Sequence, residues 1–233
     1  MNFNFNGSEI ANVGVSKGQL EGNKIHEVQF DGCEAVELKD GTMKVIRIKF
    51  SNDEGTFTHT IFEPRQGDDQ DTDGMYGKNP SRIKEMMTLF RHLGHAVCPE
   101  LPKYIDSIKG SVSWDQIRNK IVDVTTPAIG NKTKIKLLAK KRNYTDPNTG
   151  EQRERNDAVF PSYFLAYNKE GELYMRSKFI GNGIIFTDKE LANIKKQETA
   201  KPVSVSGANT EIFGATAVAT QAEDPFNIDI NDL

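Results

Sequence analysis

The sequence is short of most of what covalent or metal chemistry requires. Its 233 residues include two cysteines, four histidines and one tryptophan. Cys33 and Cys98 are too few and too far apart for a disulfide framework, which favours a reducing compartment. No apolar run approaches the roughly 18 residues of a membrane helix. The opening MNFNFNGSEIANVG has neither the basic start nor the apolar stretch of a signal peptide. The expectation is a cytoplasmic protein with no membrane partner. Phosphate-binding, dinucleotide, nucleophile-elbow and H-E-x-x-H motifs are also missing, and Gly181-Asn182-Gly183 reads as a turn. No internal repeat is visible. These absences predict a binding protein with no catalytic residues, no metal and no cofactor.

Two clusters invite a metal reading and fail it. Asp68, Asp69, Asp71 and Asp73 alternate like calcium ligands, but an EF-hand needs Gly at its sixth position and Glu at its twelfth. Those positions are Asp73 and Asn79. His92, His95 and Cys98 form H-x-x-H-x-x-C, whose helical spacing drifts round one face with no fourth ligand nearby. Structural roles are expected for all three, and a metal enzyme built on them is the least favoured function class.

Positive charge is missing from residues 202–233, and this exposes the asymmetry behind a net charge of −3. Residues 1–73 carry net −7, residues 74–201 carry +9 and residues 202–233 carry −5. A basic middle followed by an acidic end suits a protein that binds a polyanion and carries a competing anionic segment.

Alternation and turn chemistry then divide the chain. Residues 1–23 are Asn- and Gly-rich and read as an irregular arm. Residues 24–198 read as one domain that opens with a three-strand meander. Residues 25–38 form its first strand, bent or bulged at Asp31-Gly32, and Lys39-Asp40-Gly41 makes a hairpin. Residues 42–50 and 56–62 follow. Residues 63–79 read as a mobile acidic loop. A helical insertion around 79–118 begins with Asn79 as cap and Pro80 in the first turn. Residues 119–126 and 173–180 read as strands, and Thr187 to Glu190 as a capping box opening a short helix. Residues 199–233 read as a flexible linker and acidic tail.

The informative stretch is 132–167, read as two strands joined by a long basic loop. Lys134 and Lys136 alternate with apolar residues on the first strand, and the loop holds Lys140, Lys141, Arg142, Tyr144, Arg153 and Arg155. The return strand, 159–167, places Tyr163 and Tyr167 on one face and Phe160 and Phe164 on the other. Tyrosine tolerates half-exposure better than phenylalanine, so the tyrosines are the expected stacking residues, with Tyr144 a third. Cations track phosphates and aromatic faces stack on unpaired bases. Arg47 and Lys49, on the wet face of the second strand, extend the track.

A strand-rich domain with one helical insertion, this basic-aromatic hairpin, a small-residue linker and the acidic end EDPFNIDINDL together resemble phage-encoded single-stranded DNA-binding proteins of the OB type. The resemblance implies a mainly β fold, an OB-like antiparallel barrel with a helical insertion and a disordered acidic tail. It implies sequence-tolerant coating of single-stranded DNA in replication or recombination, in the host cytoplasm. It also implies a tail that competes for the DNA groove and recruits partner proteins, here through Asp224, Phe226, Ile228, Asp229, Ile230, Asp232 and Leu233. In the best-known pattern aspartates lead into a terminal Pro-Phe, whereas here Pro225-Phe226 comes earlier and Leu233 is last. The partner and any homo-oligomer stay open. The competing reading is a phage structural or accessory β-rich protein that binds no nucleic acid.

Overall fold

The first strand sets the geometry of the sheet. In the computed structural model, which describes residues 18–38, 41–74, 77–146, 149–162 and 164–199, β1 runs Lys24–Leu38. It is interrupted by a register shift between Phe30 and Gly32. Gly32 takes φ +110°, which L side chains rarely adopt, so the expected bulge falls where glycine permits it. Before the bulge, β1 pairs with β6 (Lys132–Thr145), from Lys24 opposite Leu137 to Gln29 opposite Lys132. From Gln29 onward it pairs with β2 (Met43–Ser51). One bent strand thus serves two neighbours.

β3 (Thr56–Phe62) pairs with β2, and β7 (Gln152–Val159) pairs with β6. The result is a five-stranded antiparallel sheet in the order β3-β2-β1-β6-β7. Two small hairpins lie outside it. β4 (Thr72–Gly74) pairs with β5 (Gly77–Asn79), and β8 (Leu165–Tyr167) with β9 (Leu173–Met175).

Between β3 and β6 the chain forms α1 (Arg82–Val97), α2 (Glu100–Ser107) and α3 (Trp114–Thr125). Leu89, Phe90 and Leu93 of α1, Leu101 of α2 and Ile121 of α3 join Phe30, Ile46, Ile48, Phe50 and Phe57 of the sheet in one buried core. A Cβ on Gly94 would lie 2.3 Å from Pro102 Cδ, so glycine is what lets α2 fold back onto α1. Phe160, just beyond β7, packs 4.8 Å from Phe57 and 5.0 Å from His59 of β3. It also lies 4.8 Å from Phe179. The sheet therefore curls until its outer strands share one aromatic cluster, although β3 and β7 are not hydrogen-bonded to each other.

The fold is mixed α/β, not mainly β, because the helices build a full layer of the core. Residues 119–126, expected as a strand, belong mostly to α3. A complete capping box, Ser113 with Gln116, starts that helix, and Trp114, Ile117, Ile121 and Thr125 then recur on its buried side. The cap of α1 is Ser81, whose Oγ accepts from the Lys84 N–H, and Asn79 instead ends β5. The acidic loop is tied down: Asp71 accepts from the Ser81 N–H, from Lys84 Nζ and from the Tyr167 hydroxyl. Those donors hold its carboxyl down to about 2, with Lys84 contributing most. The expected strand 173–180 is confined to β9, and Ile180 forms an isolated bridge to Ile135 of β6. The expected capping box at Thr187 is present. Thr187 N–H donates to Glu190 Oε2 at 2.8 Å, Glu190 N–H donates to Thr187 Oγ1 at 3.3 Å, and α4 runs Asp188–Thr199.

Candidate nucleic-acid interface

β6 is longer than the sheet that holds it. Its pairing with β1 ends at Leu137, and the Ala139 N–H donates to Asn23 Oδ1 at 2.9 Å. From Lys140 to Thr145 its ladder partner is β7 alone, in the register Lys140 opposite Asp157 through Thr145 opposite Gln152. What reads as a basic loop is therefore a two-stranded ribbon with a short turn. Asp146 and Gly150 close the turn, the Gly150 N–H donating to the Asp146 carbonyl at 2.8 Å.

Period-two alternation sorts the ribbon into unequal faces. Lys140, Arg142 and Tyr144 share one face with Asp157, Arg155 and Arg153. Lys141, Asn143 and Thr145 share the other with Asn156, Glu154 and Gln152. The first face carries four cations, one carboxylate and the ribbon's aromatic ring. The second carries one charge of each sign, joined as the Lys141–Glu154 pair at 3.0 Å.

The cations of the first face are held loosely. Asp157 receives Arg155 Nε at 2.7 Å and Arg142 at 3.7 Å. Arg153 reaches Asp146 at 3.0 Å and Glu151 at 3.3 Å. The Arg155 guanidinium lies 5.6 Å from the centroid of the Tyr144 ring. Asp157 and Asp146 are largely buried, but the three guanidiniums stay exposed, so a phosphate can reach them and take a carboxylate's place. The planar guanidinium fork suits such an exchange.

The remaining expected contacts are spread over the molecule. Arg47 and Lys49 lie on β2, Arg47 opposite Glu34 in register and Lys49 paired to Glu34 at 2.7 Å. Lys134 pairs with Glu27 at 3.1 Å. Lys136 is a correction. Its side chain is 0% exposed, and Nζ donates to Ser177 Oγ at 2.7 Å, Ile185 O at 2.9 Å and Glu190 Oε2 at 2.7 Å. All three ammonium protons are used, the Phe186 ring lies 5.6 Å away, and no phosphate reaches the group.

The return strand is the second correction. β7 stops at Val159, and Pro161 cannot continue a ladder. Tyr167 therefore sits on β8, away from the ribbon, with its hydroxyl donating to Asp71 Oδ2 at 2.7 Å and accepting from Lys84 Nζ at 2.7 Å. Phe160 is buried in the core and Phe164 packs 4.8 Å from Phe179. Tyr163 and the tail residues Asp224, Phe226, Ile228, Asp229, Ile230, Asp232 and Leu233 lie outside the described residues.

No family model matches the chain, nor does any curated protein or solved structure.

Among the described residues no group of three or more His, Cys, Asp or Glu could hold a metal ion. His92 packs edge-on to Phe179, with ring centroids 5.5 Å apart. Burial first, then Lys178 and His95, push its pKa down to about 4. Cys98 Sγ donates to the Val124 carbonyl at 3.3 Å. Burial pushes the Cys33 thiol up to about 12, which leaves it a poor nucleophile at neutral pH. No helix among the described residues is long and apolar enough to cross a membrane. Sequence reasoning missed the carboxylates Asp157, Glu154 and Asp146 as partners of the ribbon cations. Continuing the period-two count of β6 through Thr145 would have found the first two.

Proposed function

We propose that the chain binds single-stranded DNA without strict sequence preference, through the basic-aromatic face of the β6–β7 ribbon. The observation that carries this reading is the sorting of Lys140, Arg142, Arg153 and Arg155 onto one face with Tyr144. Cations and a stacking ring on one projecting surface are what a polyanion with unpaired bases requires.

The topology supports the same reading. The strand order third-second-first-fourth-fifth, a bent first strand shared between two partners, and helices between the third and fourth strands are those of an OB-like sheet. In that architecture the connection between the fourth and fifth strands is one that binds oligonucleotides. Here that connection is the ribbon. Arg47 and Lys49 of β2, with Lys134 of β6, extend the cationic surface beyond it. The acidic end of the sequence would compete for the same cations and, through Phe226, Ile228, Ile230 and Leu233, dock on replication or recombination proteins. The site of action would be the cytoplasm of a phage host.

Fluorescence titration with unstructured oligo(dT) at two salt concentrations tests this. Log affinity should fall with log salt at a slope of about −3, from about −0.7 for each of four phosphates neutralised. Deleting residues 223–233 should tighten binding at low salt and matter less as salt screens the tail. Absent binding would leave the structural or accessory role instead.

A further inference from the structure

A groove of about 540 Å³ opens at the foot of β6, at the end of that strand opposite the ribbon. Its size falls within the roughly 300–1,000 Å³ of small-molecule sites. Gln29 of β1, Asn52 and Asp53 after β2, Lys132 and Lys134 of β6, and Asn182 of a glycine-flanked turn line it.

Part of the wall is fixed. The Asn52 side-chain amide donates to the Glu27 carbonyl at 3.1 Å, and its Oδ1 accepts from the N–H groups of Glu54 and Gly55 at 2.9 and 3.0 Å. Lys134 is held at 3.1 Å by Glu27. The side chains of Gln29, Asp53, Lys132 and Asn182 make no hydrogen bond or ion pair with any described residue. A held wall therefore faces four unengaged polar groups: two amides, one carboxylate and one ammonium.

That combination selects a ligand class. The ammonium requires an anion, the amides pair with any base edge, and the carboxylate accepts but never donates. A nucleotide offers the anion and, in cytosine, adenine and guanine, an exocyclic amine for the carboxylate. Thymine presents carbonyl oxygens there and repels it. Alternation along β6 puts Lys132 on the same side as Lys140, eight residues and roughly 27 Å apart. Lys136, midway between them on that side, lies under residues 177–190, so a strand passing from the ribbon to the groove crosses that segment, whose Asn182 lines the groove.

Resting on the single-strand reading above, we propose that this groove holds one nucleotide unit of the bound strand and favours bases bearing an exocyclic amine. Asp53 is the discriminating residue and Lys132 the phosphate contact.

The test is anisotropy titration of the full chain with labelled oligo(dC) and oligo(dT) of equal length at pH 8. Oligo(dC) should bind about three- to tenfold more tightly, as expected for one net hydrogen bond at a solvent-exposed site. D53N, which relieves the repulsion of thymine and can donate to its carbonyls, should abolish that preference by strengthening oligo(dT) binding relative to oligo(dC), and K132A should weaken both. Both positions are outward-facing, so neither variant threatens folding. Equal affinities in the unsubstituted protein, or a preference that survives D53N, would overturn the groove assignment while leaving salt-dependent binding intact. Free dCMP binding as tightly as the oligonucleotide would overturn it too, in favour of a mononucleotide pocket. Failure of both oligonucleotides to bind would instead overturn the single-strand reading and the groove with it.

Discussion

Lys136 and Lys140 lie four residues apart on the same face of one strand, and they have opposite fates. Lys136 is wholly internal, its charge spent on Ser177, Ile185 and Glu190. Lys140 is in the solvent-facing ribbon. Alternation along β6 cannot distinguish them. The difference lies in what crosses over the strand: residues 177–190 cover the lower half, and nothing described covers the upper half from Lys140 on that face. A cation becomes a binding group only where the chain leaves it uncovered.

The sharpest way to test that contrast is to neutralise each lysine. K136M leaves Glu190, whose side chain is 12% exposed, without its counter-ion, and breaking so largely buried a pair costs about 3–5 kcal/mol. The K136M/E190Q double variant, which removes the unpaired charge but keeps side-chain oxygen for the Thr187 N–H, should recover part of that loss. K140A should change stability by less than about 0.5 kcal/mol. Urea unfolding of the four proteins measures all of these. Equal, small effects at both positions would show that the cover is not part of the stable fold.

The next largest effect should separate the two faces of the ribbon. Y144A should weaken oligonucleotide binding by about 1–3 kcal/mol, the usual worth of one stacked base. K140A/R142A should flatten the salt slope by about 1.4, two phosphates at about 0.7 each. K141A, on the opposite face and paired with Glu154, should leave the slope where it was. A slope that responds to Lys141 as strongly as to Lys140 would mean that the strand wraps both faces.

The mildest contrast is in pH. Burial pushes the His59 pKa down to about 4 from 6.5, and His92 also lies at about 4. In both, the folded value lies below the unfolded one, so between those limits the unfolded chain binds more protons. Their contribution to stability is complete above about pH 6.5 and is lost as pH falls toward 4. Unfolding monitored from pH 8 to 4 should therefore show a decline that H59F reduces. A decline unaltered in H59F would place its origin elsewhere.

The sequence was most legible where one face of an element is dry. The bulge at Gly32, the strands around it and the capping box at Thr187 each leave a pattern that water on one side imposes. α3 was misread because Ile121-Val122-Asp123-Val124 is short and satisfies both periods, and the cap at Ser113 decides the matter. The ribbon was read as loop because a two-stranded element wet on both faces has no apolar alternation to show. Lys136 was misplaced for another reason. Ser177, Ile185 and Glu190, which enclose it, lie 41 to 54 residues further along the chain. No local pattern reports contacts at that separation.

The ribbon also sets a rule for how this chain can change length. Inserting one residue into each strand beyond Ala139 and Ala158 would turn every later side chain over. The guanidinium and tyrosine row would then exchange sides with the Asn, Gln and Thr row. Inserting two into each would preserve the row and move the tip outward by roughly 7 Å. Insertions and deletions in this segment should therefore survive in even steps, and chains that differ by an odd step should have their cationic residues redistributed to match.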